Sequence, residues 1–450
     1  MKRITIIGGG ASGTLLAANL LRRKPLESIT INLVEKRERV GLGVAYSTDK
    51  DTHLLNVPAA KMGAFPDNIG HFYEWLKANG HEYGESSFVP RKIFGKYLRD
   101  IFDEAARDKA ENITFNVYGG EAVEINEDPA HVLLESGEII LSDKVVLAFG
   151  NFLPPQPTVE DQNFVDAEKY FQNPWSRDVY ETIDPEDSVF IVGTGLSMVD
   201  VAMHFHRNEH RGKITAISTR GLLPAVHRLG QTYDSFYEAI RSHDRITDLL
   251  KAVRREIRRA EEKGIGWHAV IDSLRPHTQA IWQNLPVSEK RYFMQHLSRY
   301  WNVSRHRMPA EAAEVLDKMQ ADGRLEIMKG RLRKIETNGS GDFNIVFSSD
   351  GNEKQVSANA VVNCIGSESN FERIDSALVR NLLTKGYIRN DALSQGLDAL
   401  PDGTIIGKNG AGPNFLHTLG TSLKGILWES TAIPEIRVQA RDLAGILLSN

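Results

Sequence analysis

An apolar strand that stops at a glycine-rich turn and runs on into a helix occurs twice in this 450-residue chain, at 4–23 and at 189–200. After each copy, alternating strand-like runs lead to an apolar segment closed by glycine. These observations predict an α/β fold with two Rossmann-like dinucleotide-binding domains, the second inserted in the first. The expected division is residues 1–160 with 365–450 in one domain and 161–364 in the other, which also carries a helical insertion at 230–322.

In the first copy, Ile4–Ile7 ends at Gly8-Gly9-Gly10-Ala11-Ser12-Gly13, and helical character runs from Thr14 to Arg23. Gly8 permits the tight turn, Gly10 lets the backbone approach a diphosphate, and Gly13 lets the helix pack closely on the strand. Ala11 and Ser12 open the helix, so their amides face the phosphates. A second β-rich run, 29–34, ends in Glu35, 22 residues past Gly13 and followed by Lys36. An acid at that offset accepts hydrogen bonds from ribose hydroxyls, and the site is expected to hold the adenosine of FAD.

The second copy reads V-F-I-V-G-T-G-L-S-M-V-D at 189–200, with Gly193, Thr194, Gly195, Leu196 and Ser197 in the turn. Met198 holds the third glycine position, so helix and strand are expected to pack less tightly there. The next strand, 214–217, leads to Arg220, at the same 22-residue offset from Met198. An arginine pairs with a 2′-phosphate in a forked geometry where an acid would repel it, so this site is expected to take NADPH.

The runs at 113–141 and 325–356 extend the duplication, and the closing segments are 145–150 and 361–366, with Gly150 and Gly366 at their ends. A strand of that composition is buried on both faces, and Gly150 allows backbone to pass close to a nucleotide. Pro154-Pro155-Gln156-Pro157 reads as a rigid linker. The segment 230–322 has no counterpart in the first half. Ile246, Leu249, Leu250, Val253 and Ile257 follow helical spacing, with Arg254, Arg255, Arg258 and Arg259 on the other faces, which read as solvated surface.

Composition removes several classes. The formal charge of −5 argues against phosphate-backbone binding, so no nucleic-acid partner is expected. A lone Cys364 excludes an intrachain disulfide, a CxxC redox pair and hence a disulfide reductase, and it reads as a buried inert thiol. Residues 4–21 are uncharged after a basic start, but three consecutive glycines would weaken a signal helix; no membrane span and a cytoplasmic location are expected. His204, His206 and His210 offer only one i,i+4 pair and read as surface, so no metal site is expected. Arg305-His306-Arg307 fits either an anionic ligand or ordinary surface, and the second reading is preferred. No Gly-x-Ser-x-Gly elbow supports serine hydrolysis.

With these motifs in place, the chain resembles the FAD- and NAD(P)H-dependent two-domain flavoproteins over essentially its whole length. Residues 56–67, N-V-P-A-A-K-M-G-A-F-P-D, are similar to the Asn-x-Pro, Met, Phe-Pro-Asp segment of flavin-containing monooxygenases, with one extra residue between the two parts. The resemblance implies that Asn56 lies against the flavin ring and helps hold the oxygenated intermediate. Stretches 41–46, 88–98 and 427–440 look like a bacterial FAD/NAD(P)-binding subfamily. Two departures stand out. The fingerprint between domains, with Phe-x-Gly and a His, is replaced by Y-F-Q-N-P-W-S at 170–176. Near the C-terminus, where these flavoproteins place a Gly-Asp pair on the ribitol phosphate, the chain has Gly407-Lys408-Asn409.

The expectation is an FAD-dependent, NADPH-using oxidoreductase: a monooxygenase that oxygenates a small nucleophilic or activated-carbon substrate with O2 through a flavin hydroperoxide. Two alternatives stand beside it, a flavin reductase or dehydrogenase without oxygenation and a flavin-bound sensor or interaction protein.

Overall fold

The computed structural model describes residues 2–37 and 39–449. In chain order the first half runs β1 (Lys2–Ile7), β2 (Ile29–Glu35) and β3 (Ile113–Gly119), then β4 (Ala122–Glu127), β5 (Ala130–Leu134), β6 (Ile139–Leu141) and β7 (Lys144–Leu147). The second half runs β8 (Tyr170–Phe171), β9 (Val189–Val192), β10 (Ile214–Ser218), β11 (Leu325–Lys329), β12 (Arg331–Thr337), β13 (Phe343–Ser349), β14 (Asn352–Ala358) and β15 (Ala360–Asn363). A last short strand, β16 (Leu416–Thr418), comes near the end.

Two five-stranded parallel sheets result, ordered β16-β7-β1-β2-β3 and β11-β10-β9-β15-β8. In each, the strand entering the glycine turn is central, and all residues of β2, β9 and β15 are buried. Continuous apolar runs of this kind need cover on both faces. The antiparallel trios β4-β5-β6 and β12-β13-β14 follow the corresponding strands of the two sheets, so the internal duplication extends to the meanders.

After β15 the chain returns to the first sheet. β16 pairs with β7, and the helix Ile433–Ser449 packs on the helix Ala11–Leu21 through Ile436, Ala440, Leu443 and Leu447. The segment expected as one helical insertion divides in two. The helix Ala310–Ala321 lies on Leu196–Arg207 and shares its core through Leu316 and Met319, so it is a layer of the second α/β unit. The helices between residues 237 and 305 form their own apolar cluster around Trp282 and Phe293. That cluster closes on Trp428 from the C-terminal segment, stacked on Trp282 at 4.9 Å. Trp282 also donates its indole N–H to the Gly425 carbonyl at 2.9 Å, so the insertion is fastened to the turn that follows β16. No helix among the described residues is long and apolar enough to cross a membrane.

Candidate active site

Both glycine turns lie at the carboxyl ends of central parallel strands, where open α/β sheets bind ligands. Gly8 has φ +107°, and a Cβ there would sit 2.3 Å from the Ala148 carbonyl oxygen. A Cβ on Gly13 would come within 1.9 Å of the Gly8 carbonyl oxygen, so helix and strand touch backbone to backbone. No side chain caps the helix Ala11–Leu21 at Gly10, and its first amides, Ala11 and Ser12 among them, are left to a ligand. Glu35 is buried; its carboxylate takes the Gly9 N–H at 2.7 Å and the Arg37 N–H at 2.9 Å. Lys36 turns outward to Glu121 at 3.3 Å. The residues present fit a dinucleotide: a glycine cradle, an uncapped helix N-terminus and an acid at the end of β2.

The second turn repeats this with less crowding. Gly193 has φ +114° and faces the Cys364 carbonyl, 2.4 Å from where a Cβ would be. Gly195 opens the helix Leu196–Arg207 with no side-chain cap, nothing crowds it within 4 Å, and Leu196 and Ser197 are half-buried in the first turn. The Thr194 hydroxyl donates to the Leu222 carbonyl at 2.6 Å and touches the Ser218 hydroxyl at 2.9 Å, bracing the turn that carries Arg220. Arg220 is exposed and has no ion pair among the described residues. Cys364 is buried, and burial pushes its thiol pKa far up, as suits an inert side chain.

The structure moves one expected contact. In the strand pairing, Gly403 faces Thr418 and Ile405 faces Leu416, so Gly407 falls beyond the amino-terminal end of β16, in a turn against Gly386 and Ala411. That is the far end of the sheet from the glycine turns. The crevice is lined instead by Gly420-Thr421, just after β16. A Cβ on Gly420 would sit 2.6 Å from the Ser12 hydroxyl, and the Thr421 hydroxyl donates to the Gly150 carbonyl at 2.5 Å. Gly150 is therefore at the crevice and Gly407 is not. A glycine directly after a short apolar strand was the signal available in the sequence.

Asn56 is half-buried, with no hydrogen bond from its side-chain amide to the described residues. Its backbone carbonyl accepts the Nε2–H of His227 at 2.9 Å. Burial pushes the His227 pKa down to about 4, so its ring is neutral and donates through one nitrogen. His227 was not singled out in the sequence. It reaches Asn56 because residues 225–227 pair with Val303 and Met308 at the exit of the insertion, through bonds of 2.8 to 3.0 Å.

Two groups read as surface prove internal. His204 lies 4.1 Å, centroid to centroid, from Tyr180, whose hydroxyl approaches His53 Nε2 at 3.3 Å, and His210 is 4% exposed. Among the described residues no His/Cys/Asp/Glu group has metal-binding geometry. Beside this cluster, Arg91 of the first domain pairs with Asp200 of the second at 2.9 Å, the arginine largely buried and the carboxylate fully so. Arg305 and Arg307 are also internal. Arg307 holds Asp272 at 2.8 Å, and Arg305 meets Glu429 at 3.1 Å. A cleft of about 830 Å³ among Tyr83, Phe88, Met203, Arg207 and Arg324 sits at the carboxyl end of the helix Leu196–Arg207, opposite its glycine turn.

With this geometry established, comparison with known proteins is direct. The profile of the FAD-NAD(P)-binding family matches residues 5–152. The amino-terminal third is an FAD-NAD(P)-binding domain. Two curated relatives match this flavoprotein chain: uncharacterized protein YdhS of Escherichia coli (strain K12), 26% identical over 260 residues, and an L-aspartate N-monooxygenase (nitrosuccinate-forming) of Streptomyces davaonensis, 23% identical over 246. The matches cover 50% and 44% of this chain and 46% and 37% of those proteins, so the chain spans less than half the length of either. Among solved structures, DfoA bound to FAD, the cadaverine monooxygenase of Erwinia amylovora, superposes with a TM-score of 0.65 at 14% identity, covering 99% of this chain and 94% of DfoA. The two-domain flavoprotein fold therefore extends over the whole chain.

Proposed function

We propose that the protein is an FAD-dependent, NADPH-using monooxygenase that transfers one atom of O2 to a small nucleophilic substrate, in the first place an amine, through a flavin hydroperoxide. The observation that carries this reading is the placement of Asn56: a free side-chain amide on a loop whose carbonyl His227 holds from the second domain. The relative named as an aspartate N-monooxygenase and the fold shared with a cadaverine monooxygenase support it.

FAD supplies hydride acceptance and oxygen activation when bound. The protein's residues bind, orient and exclude water. Gly8 to Gly13 and Glu35 hold the adenosine end, while Gly150, Gly420 and Thr421 line the crevice onward from it. Gly193 to Ser197 hold the second dinucleotide, with Arg220 on its 2′-phosphate. Asn56 offers a hydrogen-bond donor, and neutral His227 fixes the backbone that carries it. The insertion, fastened at Gly425, keeps water from the C-terminal wall, which oxygenation requires because a wet site releases peroxide instead.

Anaerobic reduction with NADPH followed by admission of oxygen tests this. The expected result is a slowly decaying oxygenated-flavin spectrum that an added amine discharges with formation of its hydroxylated product. Immediate reoxidation with stoichiometric peroxide, whatever amine is present, would leave a reductase. Failure of NADPH to reduce the flavin would favour a sensor.

A further inference from the structure

We infer that the seam between the helical insertion and the helix Ile433–Ser449 is a carboxylate-binding subsite, with Arg305 and Arg437 as its anion-holding residues. The inference rests on the monooxygenase reading and names a chemical class for its substrate: a small organic acid.

Glu435 and Gln439 stand four residues apart on one helix and so share a face, about 6 Å from each other. Gln439 accepts the Gly420 N–H at 2.7 Å, and Gly420 lies against Ser12. Glu435 meets Arg275 at 3.4 Å and Arg305 at 3.7 Å. The arginines therefore stand about one helical turn from the flavin crevice. Arg437 reaches the other wall, donating to the carbonyls of Lys61 and Gly63 on the loop that begins at Asn56.

This seam concentrates buried polar atoms without hydrogen-bond partners: Nε and one Nη of Arg305, Nε of Arg437, the Ser430 hydroxyl and Nε2 of Gln439, against a single acceptor, Oε2 of Glu435. Arg305 and Arg437 are both more than nine-tenths buried. An unsatisfied buried donor costs about 1–3 kcal/mol, and the donors outnumber the one unpartnered carboxylate oxygen, so the excess calls for an acceptor that is not part of the protein. The charge count agrees. Arg275, Arg305 and Arg437 face Glu429 and Glu435, which leaves one cation in excess; Arg307 is balanced by Asp272. His306 adds no charge, because burial and the neighbouring Arg305 push its pKa down to about 3. A carboxylate takes up both the spare donors and the spare charge.

Equilibrium titration of the oxidised, FAD-loaded protein without NADPH tests this, using succinate, L-aspartate and uncharged succinamide, read by calorimetry and by perturbation of the flavin spectrum. Succinate and L-aspartate are expected to bind and succinamide to fail. Arg305→Met, which keeps the side-chain volume, should weaken acid binding at least tenfold at unchanged FAD stoichiometry. Should Arg305→Met not fold, Glu435→Gln, which removes a competing carboxylate, is expected to tighten acid binding severalfold. Equal binding of succinamide, no binding of either acid, or affinities indifferent to both substitutions would overturn the inference. No turnover is involved, so a protein that binds the acids but never oxygenates an amine would sink the monooxygenase reading and leave the subsite standing.

Discussion

The two dinucleotide turns share a topology but are held together by different means. In the first, the helix Ala11–Leu21 rests on its strand backbone to backbone, because Gly13 leaves no room for a Cβ beside the Gly8 carbonyl. In the second, Met198 fills the equivalent position, fully buried, so its helix cannot sit as close. The second helix is anchored through side chains instead: Asp200 to Arg91, and His204 to Tyr180 and His53. The charges that follow the second strand of each unit differ as well, a buried Glu35 against an exposed Arg220. One half is fixed by what its glycines omit, the other by what its side chains reach.

The sharpest way to break this comparison is Gly13→Ala. With the Gly8 oxygen 1.9 Å from the new Cβ, helix and strand must separate, and overpacking of this kind costs about 1–3 kcal/mol or more. The expected outcome is colourless, poorly folded protein, read by flavin absorbance and thermal melting. Full FAD occupancy would show that the close approach is not needed.

Arg91→Met comes next. It leaves Asp200 buried without its cation, and breaking such a pair by removing one partner costs about 3–5 kcal/mol. Burial already pushes the Asp200 carboxyl upward despite Arg91. Denaturant unfolding should show this loss, and the Arg91→Met, Asp200→Asn double variant should recover part of it. No recovery would mean that the two domains are not coupled through this pair.

Arg220→Ala probes the exposed counterpart. Loss of a forked charge-assisted contact should raise the KM for NADPH about tenfold while leaving that for NADH within about twofold. Equal effects on both nucleotides would remove the 2′-phosphate assignment.

Much of this architecture was legible before any coordinates. The strand–glycine–helix order, the acid at Glu35 and the arginine at Arg220 report local geometry, and local geometry is what spacing encodes. The closing strands were legible because burial on both faces demands an uninterrupted apolar run. Gly407 was misplaced because its role was carried over from a resemblance, and only the antiparallel return of 403–407 along β16 shows which end of the sheet it occupies. Arg305 and His204 were read as surface because a charged or imidazole side chain looks the same in sequence whether solvated or partnered. Their partners, Glu429 and Tyr180, lie 124 and 24 residues away. His227 was invisible for the same reason.

The smallest effect concerns acid. Burial, with the charges of Arg91 and His204, pushes the His53 pKa down to about 3, and burial, with Lys50, pushes that of His204 to about 4. A histidine whose folded pKa lies below its unfolded value of about 6.5 stabilises the fold fully above that value. That contribution is lost as the pH falls from about 6.5 toward 4, because the unfolded chain binds the protons first. The anchoring of the second helix should therefore weaken over this window, whereas the glycine packing of the first helix carries no titrating group and should not. Melting temperatures of wild type and His204→Gln between pH 7 and pH 5 check this. The variant, which cannot take up the proton, should lose less stability than wild type on acidification, and parallel curves would show that His204 does not couple protonation to the contact between the two halves.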